Sequence, residues 1–292
     1  LDGISLTVRA GETLALVGES GCGKSITSLA LMGLLPASAQ IVSGEMQFRR
    51  HDLRKLSPRE YADLRGSELA MIFQEPMTSL NPVFTIGEQI AESIRLHQGL
   101  GREEALAEAK KTLDKVRIPE AQTMLSRYPH QLSGGMRQRV MIALAFSCEP
   151  ELIIADEPTT ALDVTVQLQV LRLLKHKARA SGTSVLFISH DMAVVSQLCD
   201  RLYVMYAGSV IESGPTQTVI QRPTHPYSIG LLKCAPEHGE PRALLPAIPG
   251  TVPNLTCLPA GCAFRERCFA AGPRCEETPA LSSQGGVDQQ SA

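Results

Sequence analysis

The sequence feature that most constrains the fold is the octapeptide GESGCGKS at residues 18–25, which fits the pattern G-x-x-x-x-G-K-[ST] at every fixed position. An apolar run suited to a buried strand precedes it at residues 13–17, and an apolar run suited to a helix follows it at residues 26–35. A strand, a glycine-rich turn and a helix N-terminus together make an anion site, because backbone N–H groups point inward and the helix dipole favours negative charge. The alternative is an ordinary glycine-rich turn. The predicted phosphate-binding residues are Gly18, Glu19, Ser20, Gly21, Cys22, Gly23, Lys24 and Ser25.

Side chains that phosphate chemistry requires occur in this loop and at the end of a second apolar run. Lys24 is placed to reach the β- and γ-phosphates of a nucleotide, and the Ser25 hydroxyl to ligate Mg²⁺. The run LIIADE at residues 152–157 puts two carboxylates at the end of a hydrophobic strand. Ligands of α/β sheets lie at strand ends, so Asp156 is predicted to orient Mg²⁺ and Glu157 to face an attacking water. A strand that simply ends in acidic residues is the alternative.

Composition excludes several classes of protein. The net charge is −2, so no basic excess indicates a nucleic-acid partner. Apolar content of 43% and charged content of 20% are typical of a globular protein. The longest apolar runs fall short of the roughly 20 residues that a membrane helix needs. The chain begins with Leu1 and no charged, apolar leader precedes the fold, so we expect that its natural start is missing and that it is not exported.

Alternation of short apolar runs with helical patterns predicts an α/β fold with a mostly parallel sheet. Residues 1–9 alternate apolar and polar positions, which predicts an antiparallel strand, and residues 43–48 indicate a hairpin strand. Residues 75–82 are rich in turn formers and predict a loop, and residues 76–148 form a helical insert. The predicted strands are residues 13–17, 69–73, 152–155, 184–188 and 202–205, and the predicted helices are 26–35, 54–65, 86–96, 102–118, 135–145, 164–179 and 192–199.

The stretch QLSGGMRQR at residues 131–139 predicts a second phosphate contact. Ser133 is placed to cap a helix, and Gly134 and Gly135 let a phosphate group approach the N-terminus of that helix. A routine capped surface helix is the alternative, but it leaves the unit LSGGM unexplained.

Taken in order, these motifs resemble the nucleotide-binding subunit of an ABC transporter, from residue 1 to about residue 233. The likeness rests on residues 18–25, Gln74, residues 132–138, residues 156–157, residues 161–163 and His190. It implies an α/β phosphate-loop NTPase core of the RecA-like type, with an antiparallel β portion, the helical insert, and ATP and Mg²⁺ as ligands.

The resemblance also implies roles for individual residues. Gln74 would sense the γ-phosphate and join Ser25 and Asp156 as a Mg²⁺ ligand, His190 would contact the γ-phosphate, and Glu157 would activate the attacking water. Asp163 would lie where two ATPase subunits meet, and Ser133 and Gly135 would cover ATP bound by the partner. Family members stack adenine on an aromatic residue upstream of the phosphate loop, and residues 1–12 contain none.

A finer resemblance links the chain to the D-type ATPase of dipeptide and oligopeptide importers, in the peptide and nickel group. It rests on MIFQEPMTSLNP at residues 71–82, THPY at 224–227 and IPGTVP at 248–253. It implies a heterodimer with an F-type ATPase, two transmembrane permease subunits, a solute-binding protein outside the membrane, and a location at the cytoplasmic face of the membrane. Di- or oligopeptides are the predicted cargo, with nickel, glutathione or another small solute as alternatives. It divides the chain into a nucleotide-binding domain, residues 1–235, and a proline-rich, irregular C-terminal extension, residues 236–292.

Four cysteines cluster in the C-terminal extension at Cys257, Cys262, Cys268 and Cys275. Their spacing matches neither the common zinc patterns nor the ferredoxin runs. Some relatives hold a four-iron cluster in this extension, and the last three cysteines align with that group's pattern G-C-x-F-x-x-R-C. The resemblance therefore implies a [4Fe-4S] cluster, with zinc and free thiols as alternatives.

Two rival functions come from other classes of protein. One is a soluble ABC ATPase acting on DNA or ribosomes. DNA-repair members place a long coiled coil between the positions of Gln74 and Ser133, but only the 58 residues from 75 to 132 intervene here, without sustained heptads. Translation factors carry two cassettes, and one is found here. The other rival is a phosphate-loop kinase, which leaves residues 132–138 without a purpose.

Overall fold

The computed structural model describes residues 1–159, 162–234, 247–283 and 289–292, and the chain divides into two compact units. The first unit comprises residues 1–8, 12–27 and 187–292, and the second comprises residues 9–11 and 28–186. The strands are β1 (Thr13–Val17), β2 (Gln47–Phe48), β3 (His51–Asp52), β4 (Leu69–Ile72), β5 (Leu152–Asp156), β6 (Ser184–Ser189), β7 (Arg201–Tyr206), β8 (Ser209–Pro215), β9 (Ser282–Ser283) and β10 (Gln290–Ser291). The α-helices are α1 (Lys24–Leu31), α2 (Pro58–Leu64), α3 (Pro76–Ser79), α4 (Ile86–Gln98), α5 (Arg102–Lys115), α6 (Ala121–Met124), α7 (Gly134–Ala145), α8 (Val164–Ser181), α9 (Met192–Leu198), α10 (Thr216–Gln221) and α11 (Pro226–Lys233).

In the first unit, β1 pairs in parallel with β7, with Leu14 opposite Arg201 and Val17 opposite Val204. Both strands are nearly continuous apolar runs, as expected for strands covered on both faces. Strand β8 pairs antiparallel with β7, β10 pairs antiparallel with β8, and β9 pairs with β10. This unit therefore contains both a parallel pair and an antiparallel extension.

In the second unit, β4 pairs in parallel with β5, from Leu69 opposite Leu152 to Ile72 opposite Ala155. Helices α4 and α5 pack against each other and against α7 through apolar faces. Ile90 and Ile94 on α4 and Leu113 on α5 are fully buried. Helices α3 to α7 lie in the range that the sequence predicts as a helical insert.

The α/β fold class is confirmed, and each of the five predicted apolar strands is present to within about a residue at either end. The predicted strand at residues 1–9 is wrong, because these residues, all described, form no strand. Ile4, Leu6 and Val8 are half-buried, so the alternation does mark a one-sided segment. Alternation alone does not supply a strand edge to pair with. Antiparallel pairing occurs instead among β7, β8, β10 and β9, and between β2 and β3.

Three smaller expectations also change. The helix predicted at 54–65 is a 3₁₀ turn at Leu53–Lys55 followed by α2, because Pro58 begins a new helix that Ser57 caps. The loop predicted at 75–82 contains the short helix α3, and the hairpin strand is limited to β2. The predicted domain boundary between residues 235 and 236 lies outside the described residues, while residues 247–281 form 3₁₀ turns and irregular chain, as predicted.

Candidate nucleotide site

The phosphate loop, residues 18–25, lies in the first unit between the end of β1 and the start of α1. This is the strand, turn and helix order that the sequence predicts. Gly18 has a φ of 157°, and a Cβ atom there would lie 2.3 Å from the Met205 carbonyl oxygen and 2.8 Å from the Cys22 sulfur. Only glycine fits this position, because the backbone of the loop lies directly against β7.

Lys24 lies inside the loop and is only 5% exposed. Its Nζ donates hydrogen bonds to the carbonyl oxygens of Gly18, at 2.7 Å, and Glu19, at 3.0 Å. A buried ammonium held by carbonyl groups gives the loop a fixed positive charge where anionic oxygens would bind. Burial raises the pKa of the neighbouring Cys22 thiol, so this cysteine is not a ready nucleophile.

Asp156 and Glu157 lie in the second unit, at the end of β5. Asp156 is 5% exposed, and the Ser28 hydroxyl lies 3.5 Å from its Oδ2. Glu157 has a φ of 43°, which is a left-handed conformation. Residues other than glycine seldom adopt this conformation, and those that do are often found at functional sites. The Gln74 amide donates to Glu157 Oε2 at 3.2 Å, so the structure brings these two predicted residues together. The carboxylate oxygens of Asp156 and the amide oxygen of Gln74 are ligand types that suit Mg²⁺.

Ser133 caps helix α7, and its Oγ accepts a hydrogen bond from the Met136 N–H at 3.4 Å. Asp163 caps helix α8 in the same way, since its Oδ1 accepts from the Val166 N–H at 3.0 Å. Both helix N-termini line one groove of about 360 Å³ in the second unit. Residue 161 of the predicted segment 161–163 lies outside the described residues. The groove is lined by Ser133, Gly134, Gly135, Met136, Arg139, Leu162, Asp163, Val166 and Gln169.

His190 lies in the first unit, directly after the last residue of β6, and is exposed. The next residue, Asp191, caps helix α9 by accepting from the backbone N–H groups of Ala193 and Val194. The histidine is thus held between a strand end and a capped helix. This is the strand-end position that the sequence predicts.

The four cysteines of the C-terminal extension form no disulfide bond among the described residues, and Cys257 is exposed whereas Cys262, Cys268 and Cys275 are half-buried. The backbone N–H of Cys262 donates to the Cys275 carbonyl at 2.9 Å, so these two segments run side by side. Across the described parts of the chain, no group of three or more His, Cys, Asp or Glu side chains is arranged to hold a metal ion. This geometry does not fit a preformed cluster and gives the metal prediction no support.

Two residues that contact the phosphate loop were not predicted from the sequence. Tyr227 and Arg267 both contact Glu19, although they lie 208 and 248 residues away along the chain. Both residues lie in motifs that the sequence contains: Tyr227 in THPY at residues 224–227 and Arg267 in the pattern G-C-x-F-x-x-R-C at residues 261–268. Neither motif indicates by itself what its side chains contact.

No helix in the described ranges has the length and apolar character to cross a membrane. A family model described as ABC transporter matches residues 1–160, and a model described as the C-terminal region of oligopeptide/dipeptide transporters matches residues 211–275. The first match includes the phosphate loop, and the second includes all four cysteines from Cys257 to Cys275.

Curated relatives and solved structures agree with these matches. The probable D,D-dipeptide transport ATP-binding protein DdpD of Escherichia coli (strain K12) is 64% identical over 293 residues, covering 100% of this chain and 89% of that protein. The glutathione import ATP-binding protein GsiA of the same organism is 56% identical, covering 82% of this chain but only 40% of its own length. The dimeric post-hydrolysis structure of the ATP-binding cassette MJ0796 with ADP and Pi has a TM-score of 0.64 and 28% identity, covering 72% of this chain and 88% of that one.

Proposed function

Because this chain belongs to the ABC transporter ATP-binding family and is therefore an ATPase, we propose that its ATP hydrolysis energises import of di- or oligopeptides through membrane permease subunits. The observation that carries the proposal is that the chain combines the cassette with an oligopeptide-type C-terminal region. The name of its 64% identical relative, a D,D-dipeptide transport protein, supports a small peptide as cargo.

We assign the chemistry to residues that the structure describes. Lys24 holds the β- and γ-phosphates and neutralises charge that develops as the terminal bond breaks. Ser25, Asp156 and Gln74 have the oxygen ligands that would hold Mg²⁺, which supplies Lewis-acid stabilisation when bound. Glu157 orients and deprotonates the attacking water, and its hydrogen bond with Gln74 fixes the carboxylate. His190 contacts the γ-phosphate from the end of β6.

The groove of Ser133 and Asp163 is proposed to close over ATP held by a second ATPase subunit. Two capped helix N-termini facing one groove supply N–H groups and dipoles that favour an anion. The dimeric state of the related cassette MJ0796 supports a two-subunit arrangement. We propose an F-type ATPase as the partner, on the finer sequence resemblance.

The permease is proposed to dock against residues 75–82 and the helical insert. Val83 and Phe84, just after this segment, expose 72% and 53% of their surface. Exposed apolar side chains beside a helical surface are typical of a contact with another protein. Docking of this kind would place the chain peripherally at the cytoplasmic face of the membrane, where a binding protein on the other side delivers cargo.

Replacing Glu157 by Gln tests the assigned role of the carboxylate. We expect ATP binding to remain and kcat to fall by about a hundredfold or more, because a general base contributes 10² to 10⁴ in rate. Steady-state hydrolysis by the assembled complex is the measurement. The matched control is Glu151→Gln, at the opposite end of the same strand, where the side chain pairs with Arg49. Wild-type turnover in Glu157→Gln would reject the role.

Identification of partners and cargo tests the transport proposal. Co-purification with two polytopic membrane proteins and loss of dipeptide uptake in a deletion strain are expected. Retained dipeptide uptake with lost glutathione or nickel uptake would reassign the cargo. Stoichiometric association with ribosomes or DNA would instead support the soluble ABC ATPase alternative.

The iron–sulfur prediction for Cys257, Cys262, Cys268 and Cys275 stays a prediction, supported by the cysteine pattern alone. Anaerobic purification followed by iron, zinc and acid-labile sulfide assays decides it. Iron and sulfide at equal stoichiometry would support the cluster, zinc alone would support a zinc site, and neither metal would leave four thiols.

A further inference from the structure

Arg267, in the C-terminal extension, forms an ion pair with Glu19 of the phosphate loop, whose side chain is 30% exposed. The Arg267 side chain is 5% exposed, and its Nη1 and Nη2 lie 2.7 Å and 3.0 Å from the two carboxylate oxygens of Glu19. The Nε atom donates to the Pro249 carbonyl at 2.8 Å, and Nη1 is 3.4 Å from the Tyr206 hydroxyl. The planar guanidinium is thus held on several sides, and the two-oxygen contact fixes the direction of the Glu19 carboxylate.

An aromatic cluster supports this pair from the same unit. The Arg267 guanidinium lies 5.7 Å from the ring centre of Tyr206 and 5.9 Å from that of Phe264. Tyr227 packs on Tyr206 with ring centres 4.7 Å apart, and its hydroxyl accepts a hydrogen bond from the Glu19 N–H at 2.9 Å. The backbone and the carboxylate of Glu19 are therefore both held by residues that follow it by more than 200 positions.

We propose that Arg267 is a positioning residue for nucleotide binding: it neutralises and orients Glu19, so that the C-terminal extension sets the ATP affinity of the phosphate loop. An unpaired carboxylate in a loop that binds a triphosphate would repel the ligand, and a loose loop would lose entropy on binding. The ion pair removes both costs before the nucleotide arrives. The inference rests on the proposed role of residues 18–25 in holding ATP.

A double-mutant cycle on the full chain tests this role, with binding of a fluorescent ATP analogue with Mg²⁺ as the readout. We expect Arg267→Gln to raise Kd about tenfold, which corresponds to about 1.4 kcal/mol. Glu19→Gln leaves no charge to neutralise, so we expect the double variant to bind within about threefold of Glu19→Gln alone. The increase in Kd caused by Arg267→Gln should become smaller as the salt concentration is raised, because salt screens the repulsion between the unpaired Glu19 carboxylate and the triphosphate. The matched control is Arg274→Gln, an exposed arginine in the same extension.

Several outcomes separate this inference from its premise and from misfolding. Thermal unfolding without nucleotide, followed by circular dichroism, establishes that each variant is folded, and Arg267→Lys, which keeps the charge, is expected to lose less affinity than Arg267→Gln. Wild-type affinity in folded Arg267→Gln, or additive losses in the double variant, would overturn the positioning role. Lys24→Ala tests the premise separately, since undiminished binding in that variant would remove the phosphate-loop assignment itself.

Discussion

Two glycine-rich turns lead into helices in this chain, and their glycines serve different physical purposes. In the phosphate loop, Gly18 has a positive φ, and a Cβ there would lie 2.3 Å from a backbone oxygen. At the start of α7, neither Gly134 nor Gly135 has a positive φ, and a Cβ at Gly135 would meet only the Val166 side chain, at 2.6 Å. The loop needs glycine to adopt its backbone conformation, whereas the helix start needs it for space.

The two turns also differ in what they supply to an anion. The phosphate loop contains Lys24, whose ammonium is buried and directed by two carbonyl groups. The groove beside Ser133 is lined by Arg139, but that guanidinium donates to Gln169 Oε1 at 3.2 Å and to the Val116 carbonyl at 3.3 Å. The helix start therefore offers mainly backbone N–H groups and a dipole. We infer that ATP affinity resides in the loop, and that the Ser133 turn acts only on a nucleotide already held by another subunit.

The largest effect that would test this difference is expected from Lys24→Ala. Removing the buried charge that is proposed to hold the phosphates should weaken ATP binding by the full chain about a thousandfold, or about 4 kcal/mol. Ser133→Ala, which removes only a cap, should leave that affinity within about twofold. Titration with a fluorescent ATP analogue measures both. Equal losses in the two variants would show that the ATP affinity of this chain does not reside in the phosphate loop alone.

Acidification is expected to lower the free energy of unfolding through His225, which lies in the same unit as the phosphate loop. His225 caps α11, and its Nδ1 accepts a hydrogen bond from the Tyr227 N–H at 3.0 Å, which requires the neutral ring. Burial lowers the pKa of His225 from 6.5 to about 4, and the nearby Glu212 carboxylate raises it in part. The unfolded chain binds the proton between these values and the folded chain does not. The free energy of unfolding therefore falls as pH decreases from 6.5 to about 4, by up to about 3 kcal/mol.

Urea unfolding across this pH range measures the His225 effect. His225→Asn keeps a capping side chain without a titrating ring, so its slope between pH 6.5 and 4 should be flatter than that of the wild type. His176→Gln, at an exposed position in α8, is the matched control and should keep the wild-type slope. An unchanged slope in His225→Asn would show that other groups dominate the acid response. Ser133 does not titrate, so its cap adds nothing to this slope.

The sequence predicts well what depends on local pattern. Strand β1, the phosphate loop and the Ser133 cap were predicted because a buried run, a glycine turn and a capping hydroxyl are encoded by adjacent residues. The Arg267–Glu19 pair was not, because the two residues are separated by 248 positions and only the folded chain brings them together. The four-cysteine cluster, implied by resemblance and not by spacing, stays a prediction, since the described residues show no group of three or more metal-ligating side chains. Within residues 1–9, half-buried and exposed positions alternate from residue 4 onward, as predicted, but the segment forms no strand.

The smallest expected effect distinguishes space from conformation at the start of α7. Gly135→Ala should lower the free energy of unfolding by about 1 kcal/mol, because its Cβ would overlap the Val166 Cγ1 atom. Gly134→Ala should be neutral or slightly stabilising, because its Cβ would lie 3.4 Å from Leu162 and alanine has the higher helix propensity. Adding Val166→Ala should cost less in the Gly135→Ala background than in the wild type, because it also relieves the overlap. Urea unfolding measures the four variants and the wild type, and equal losses at positions 134 and 135 would mean that space beside Val166 is not what requires glycine at position 135.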